Sequence, residues 1–125
     1  MNFKSQTSTT LEQSKRLLAL GLKAETADLH KWYADGIWYE YIGGPGEFNC
    51  VPAWSLNRLI EMCPPYLGCY DFVLSHSFVE YTAFNDDGRY RKHPMSVNDN
   101  LYDMMIDCIE RLIKDNNFRK EYLNI

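Results

Sequence analysis

The chain lacks any run of about twenty apolar residues, so no segment reads as a membrane-spanning helix. Its opening, MNFKSQTSTTLEQSKR, lacks the apolar centre of a secretory signal. The expectation is therefore a cytoplasmic protein, with Cys50, Cys63, Cys69 and Cys108 as reduced thiols. Positive charge is also scarce. A net charge of −4 argues against a broad electrostatic pull toward nucleic acid or an anionic membrane. The one dense basic cluster is RYRK, Arg89 to Lys92. No G-x-S-x-G, H-E-x-x-H, Walker or G-x-G-x-x-G motif occurs. The glycine-rich GGPG (Gly43 to Gly46) is no phosphate cradle, because Pro45 removes a backbone donor and no Gly-Lys-Ser/Thr follows. It reads as a turn.

What is present is an aromatic-rich chain of 125 residues, long enough for one globular domain. Nine tyrosines need partners for nine hydroxyls, which places many of them at the boundary between core and water. Residues 1–8 read as a flexible polar lead and 9–125 as a single domain. A helix over 10–20 starts at the capping-box pair Thr9 and Glu12 and ends in a Schellman motif at Gly21. KAETADLHKWYADG is ambiguous and reads as one more helical turn and then a loop. IWYEYI (Ile37 to Ile42) is a strand. A second helix over 55–62, capped by Ser55, is stopped by Pro64 and Pro65. Tyr70 to Phe84 is too long for one strand, so a turn is expected near Ser75–Ser77. NDDG (Asn85 to Gly88) is a turn, and RYRKH returns as an edge strand. The last helix carries Leu101, Met104, Met105, Cys108, Ile109, Leu112 and Ile113 at helical spacing. Asn98 is its expected cap, and Asn116 or Asn117 its left-handed stop. The sum is an α+β domain: three helices packed on an antiparallel sheet of three or four strands.

Candidate chemistry centres on cysteines and histidines. Cys63, Cys69 and His76 miss the C-x₂₋₄-C spacing of structural zinc sites. Cys69 and His76 fall at the base and tip of a hairpin, or roughly 23 Å apart along one strand of ~3.3 Å per residue. Cys63 sits at a helix C-terminus, where the dipole disfavours a thiolate, so Cys63 and Cys108 read as small core side chains. Cys50 lies in a loop and is the one thiol not assigned to the core. An enzyme or metal-dependent site would draw on Cys50, Cys69 and His76 or His93, but no acid–base pair, metal ligand set or cofactor site can be nominated. His30 and His93 read as structural or solvated, and Asp99, Asp103 and Asp107 as solvated on the last helix. Nucleic-acid binding through Arg89, Arg91 and Lys92 is disfavoured by the acidic balance. The remaining candidate is the aromatic cluster Trp32, Tyr33, Trp38, Tyr39 and Tyr41. In a strand, Trp38 shares a face with Glu40 and Ile42, while Ile37, Tyr39 and Tyr41 share the other. The cluster reads either as half-buried packing or as a surface for a protein partner or a second copy of the chain.

Three segments, TLEQSKRLLALGL, PAWSLNRLIEMCP and NLYDMMIDCIERLIKDNN, follow in an order that resembles a family of small uncharacterised proteins. These are carried by phages and integrated mobile elements of gut bacteria. The pattern P-A-W-S-L-x-x-L-x-x-x-x-P is the most specific part, and the segments cover about a third of the chain. The resemblance implies a setting and not a mechanism, and transfers no catalytic residue; the leading expectation is a small non-catalytic accessory or interaction protein of a mobile element. GGPGEFNC and CPPYLGC depart from the pattern.

Overall fold

A computed structural model describes residues 6–42, 50–84 and 90–124. The chain is α+β: the described residues form three α-helices and two antiparallel sheets, of three and four strands. They divide into two compact units, Met1–Leu59 with Lys120–Ile125, and Ile60–Arg119. The boundary falls inside a helix, so no polar or proline-rich linker announces it in the sequence.

In the first unit, α1 spans Leu11–Ala19. Its capping box lies one residue later than the spacing of Thr9 and Glu12 suggests. Thr10 Oγ1 accepts from Gln13 N at 3.2 Å, and Gln13 Oε1 accepts from Thr10 N at 3.0 Å. Thr9 is engaged elsewhere, since its hydroxyl pairs with Ser14 Oγ and accepts from the backbone N–H of Trp54. The helix ends as expected: Leu22 N donates to Leu17 O, Gly21 N donates to Leu18 O, and Gly21 has φ +102°. The expected polar lead is not loose over residues 6–8. Gln6 donates to Gln13, Ser8 is buried, and the hydroxyls of Thr7 and Ser8 donate to Glu40.

After a 3₁₀ turn at Ala24–Thr26 come β1 (Leu29–Ala34), β2 (Ile37–Ile42) and β3 (Cys50–Ala53), in the sheet order β2-β1-β3. β1 replaces the loop expected there. Asp35 and Gly36, with φ of +52° and +78°, make the two-residue turn that matches the twist of β1 and β2. β3 likewise replaces the loop expected around Cys50. Trp54 pins the unit. It is fully buried, its indole N–H donates to Thr26 Oγ1 at 3.0 Å, and its backbone exchanges hydrogen bonds with Thr9. Asp28 accepts from both the backbone N–H and the hydroxyl of Ser55, which in turn caps α2 (Leu56–Met62) by accepting from Arg58 N. The chain's end clasps the same unit: Leu123 bridges Leu22, and Lys23 N donates to Tyr122 O.

In the second unit the strands are β4 (Tyr66–Leu67), β5 (Tyr70–Leu74), β6 (Phe78–Phe84) and β7 (Tyr90–Val97), paired in that order. The long apolar stretch breaks at residues 75–77, where a turn was expected. β4 was not foreseen; Gly68, at φ +60°, heads the two-residue turn that joins it to β5. Tyr70, Phe72 and Leu74 are the more buried residues of β5, and Phe72 meets Tyr81 of β6 edge to face. A bulge between Val79 and Glu80 leaves Met95 as the extra residue of β7, and that residue is buried. α3 (Leu101–Lys114) packs on β6 and β7 with Met104, Met105, Ile106, Cys108, Ile109 and Leu112 buried. Its cap is Asn100, not Asn98: Asn100 Oδ1 accepts from Asp103 N, while Asn98 accepts from Asn100 N. Asn116, at φ +60°, closes it with the same Schellman bonding that Gly21 provides for α1. The strands thus separate into two sheets because β2 and β3 both pair with β1, a partition invisible to local pattern. The GGPG and NDDG turns lie outside the described residues.

Candidate interaction surface

The five aromatic residues singled out in the sequence all lie on the β1–β2 hairpin. Register decides which of them meet. Trp32 opposes Tyr39 with ring centroids 5.6 Å apart, Tyr33 opposes Trp38 at 5.1 Å, and His30 stacks on Tyr41 at 5.8 Å. Trp32, Tyr39 and Tyr41 therefore share one face with His30, Ile37, Cys50 and Pro52. Tyr33 and Trp38 share the other face with Lys31, Glu40, Ile42 and Val51. The second face is the one that meets the N-terminal segment: Lys31 Nζ donates to Thr9 O at 2.8 Å, and Glu40 receives Thr7 and Ser8.

The cluster is largely solvent-facing. Trp32, Tyr33, Trp38, Tyr39 and Tyr41 are all exposed, Tyr33 by 54%, and Ile42 is exposed by 87%. Of eleven exposed large hydrophobic side chains among the described residues, seven belong to this one hairpin, which makes it a patch and not a scatter.

The backbone adds a second feature. β2 is an edge strand, and so are β3, β4 and β7. β7 carries Arg91, Lys92, Pro94 and the bulge, all devices that discourage a further strand from pairing. β3 is four residues long with Pro52 inside it, and β4 has two residues. β2 is six residues of IWYEYI, exposed throughout, without proline or bulge. Its single charge, Glu40, is tied to Thr7 and Ser8. Among the described edges, β2 alone is long, regular and apolar.

The other candidates are dispersed. Cys63 is buried and hydrogen-bonded with Cys108, which together with burial pushes its thiol well above the ordinary 9.0. Burial, and then these two thiols, push the Tyr81 phenol up; its hydroxyl donates to Pro64 O at 2.7 Å. Cys69 is exposed in the β4–β5 turn and His76 lies in the β5–β6 turn, at opposite ends of β5. The described residues contain no group of three or more His, Cys, Asp or Glu side chains placed to hold a metal ion. Cys50 is in a strand, its sulfur accepting from the Tyr41 hydroxyl, while the Tyr41 ring rests on His30. His30 is buried and His93 exposed. Asp107 is not simply solvated, since it accepts from Ser96 Oγ at 3.0 Å. Arg91 and Lys92 are adjacent on β7 and so point to opposite faces, which divides the basic cluster; Arg89 lies outside the described residues. No described helix is long and apolar enough to cross a membrane.

Sequence reasoning missed the partner strand of this surface, although Asp35-Gly36 between LHKWYA and IWYEYI is a strong short-range hairpin signal. No protein-family model, curated protein or solved structure matches the chain.

Proposed function

We propose that the protein is a non-catalytic accessory protein that acts by contact, docking a protein partner on the β1–β2 hairpin. The observation that carries this reading is the concentration of exposed aromatic and aliphatic side chains on one hairpin whose outer strand is an unblunted edge. Tryptophan and tyrosine are the side chains that most often anchor protein interfaces, because they bury large apolar areas at small entropic cost. An open strand edge supplies main-chain hydrogen bonds for an extended segment of the partner, and the flanking rings supply selectivity. The resemblance to proteins of phages and mobile elements suggests the setting in which such an accessory would work, inside the bacterial cytoplasm.

The test is affinity capture from the native cell with the wild type and with a Trp32→Thr/Tyr39→Thr variant. A partner retained by the wild type and lost by the folded variant supports the reading. Equal retention by both contradicts it. Size-exclusion chromatography of the same pair identifies the case in which the partner is a second copy of the chain.

A further inference from the structure

Beneath the second face of the sheet lies a cavity of about 240 Å³, lined by Thr10, Leu11, Ser14, Lys31, Trp38 and Val51. At roughly 30 Å³ per water-sized group, it holds about eight such groups, the size of a small organic molecule. Its lining is asymmetric in chemistry. Leu11, Val51 and the Trp38 ring form apolar walls. The hydrogen-bonding capacity left over at the polar end is donor in character. Lys31 Nζ has three N–H groups and one hydrogen bond, to Thr9 O. Thr10 Oγ1 accepts from Gln13 N, which leaves its O–H to donate.

Among the described residues no carboxylate lines the cavity. Glu40 faces Lys31 across the strand pair, yet its oxygens receive the hydroxyls of Thr7 and Ser8. The carboxylate that attracts this partly buried lysine is thus shared with two hydroxyl donors. The pKa of Lys31 agrees: burial lowers it, and the attraction of Glu40 offsets this only in part.

We propose that this cavity binds a small monocarboxylate with a compact apolar body, its carboxylate on Lys31 Nζ and the Thr10 hydroxyl and its body against Trp38, Leu11 and Val51. A charge-assisted hydrogen bond from Lys31 in a half-enclosed apolar site is stronger than one in open water. The site shares Trp38 with the hairpin patch of the docking reading, but it is tested by a small-molecule preference at Lys31 and not by a partner.

Phenylacetate and its neutral isostere phenylacetamide are the probes, titrated into the full chain and followed by ¹H–¹⁵N NMR at the Lys31 and Leu11 amides and the Trp38 indole. Saturable shifts at all three, with the acid bound at least tenfold more tightly than the amide, support the site. In Lys31→Met, which keeps the aliphatic stem, that preference should fall to within twofold. If Lys31→Met fails to fold, Lys31→Arg should retain the preference, and the acid–amide comparison in the wild type stands by itself. Equal affinity for the two probes, absence of saturation by phenylacetate, or a preference that survives in Lys31→Met would each overturn the proposal.

Discussion

The two units of this chain solve the same problem with opposite materials. The Ile60–Arg119 unit turns several rings inward: Phe72 meets Tyr81, and Tyr102 and Phe118 are buried, as are the methionines of α3, while Tyr66 stays exposed. The other unit holds all six of the buried polar side chains found among the described residues, Ser8, Thr9, Gln13, Ser14, Thr26 and His30. Trp54 joins Thr9 to Thr26, Asp28 holds Ser55, and the hairpin rings are left facing water. Directional hydrogen bonds hold that interior with little help from the hairpin aromatics. The rings outside are thereby available for another task.

The largest effect should come from the pin of the polar unit. Trp54→Ala is expected to cost about 3–5 kcal/mol by urea denaturation, since it empties a fully buried volume and removes the indole donor to Thr26 Oγ1. In the apolar unit the matching change is Ile109→Ala, expected to cost about 2–4 kcal/mol through packing alone.

Smaller effects separate the units by pH. The Cys63 thiol and Tyr81 phenol are both held above their ordinary values of 9.0 and 10.0 in the folded chain. Their contribution is therefore complete below pH 9 and is lost as pH rises beyond it, because the unfolded chain releases those protons first. Denaturation midpoints measured from pH 8 to pH 11 should fall, and Tyr81→Phe should remove part of the slope above pH 10. At neutral pH the same substitution should cost about 1–2 kcal/mol, since the Pro64 carbonyl loses its donor.

The helix ends give a finer comparison. Gly21 has open space where a side chain would start, so Gly21→Ala meets no clash and should cost about 1 kcal/mol, from the left-handed backbone alone. Asn116→Gly, at the equivalent position of α3, should change thermal stability by only about a few tenths of a kcal/mol.

How much of this was legible in the sequence follows from the range over which each feature is written. The Gly21 and Asn116 stops, the Ser55 cap, the α3 stripe and the turn at 75–77 depend on neighbours within a few residues. All could be read directly. β1 was lost because HKWYA carries no strict alternation, although Asp35-Gly36 beside it was sufficient warning. β3 and β4 are too short to show a period. The capping box shifted by one residue because Thr9 answers to Trp54, 45 residues away in sequence. Cys63 and Cys108 were expected as core side chains, but their hydrogen bond to one another is a product of the fold. The aromatic cluster was visible as composition, and the strand period already parted Trp38 from Tyr39 and Tyr41; placing Trp32 and Tyr33 on those faces needed β1.

The central claim is that the hairpin rings serve contact and not stability. The most direct measurement is covalent labelling of Trp32, Tyr39 and Tyr41 in purified protein and in extract of the native cell. The account predicts several-fold slower labelling of these residues in the extract, with Tyr66, exposed on β4, unchanged. Equal labelling rates at the hairpin in both conditions would contradict it.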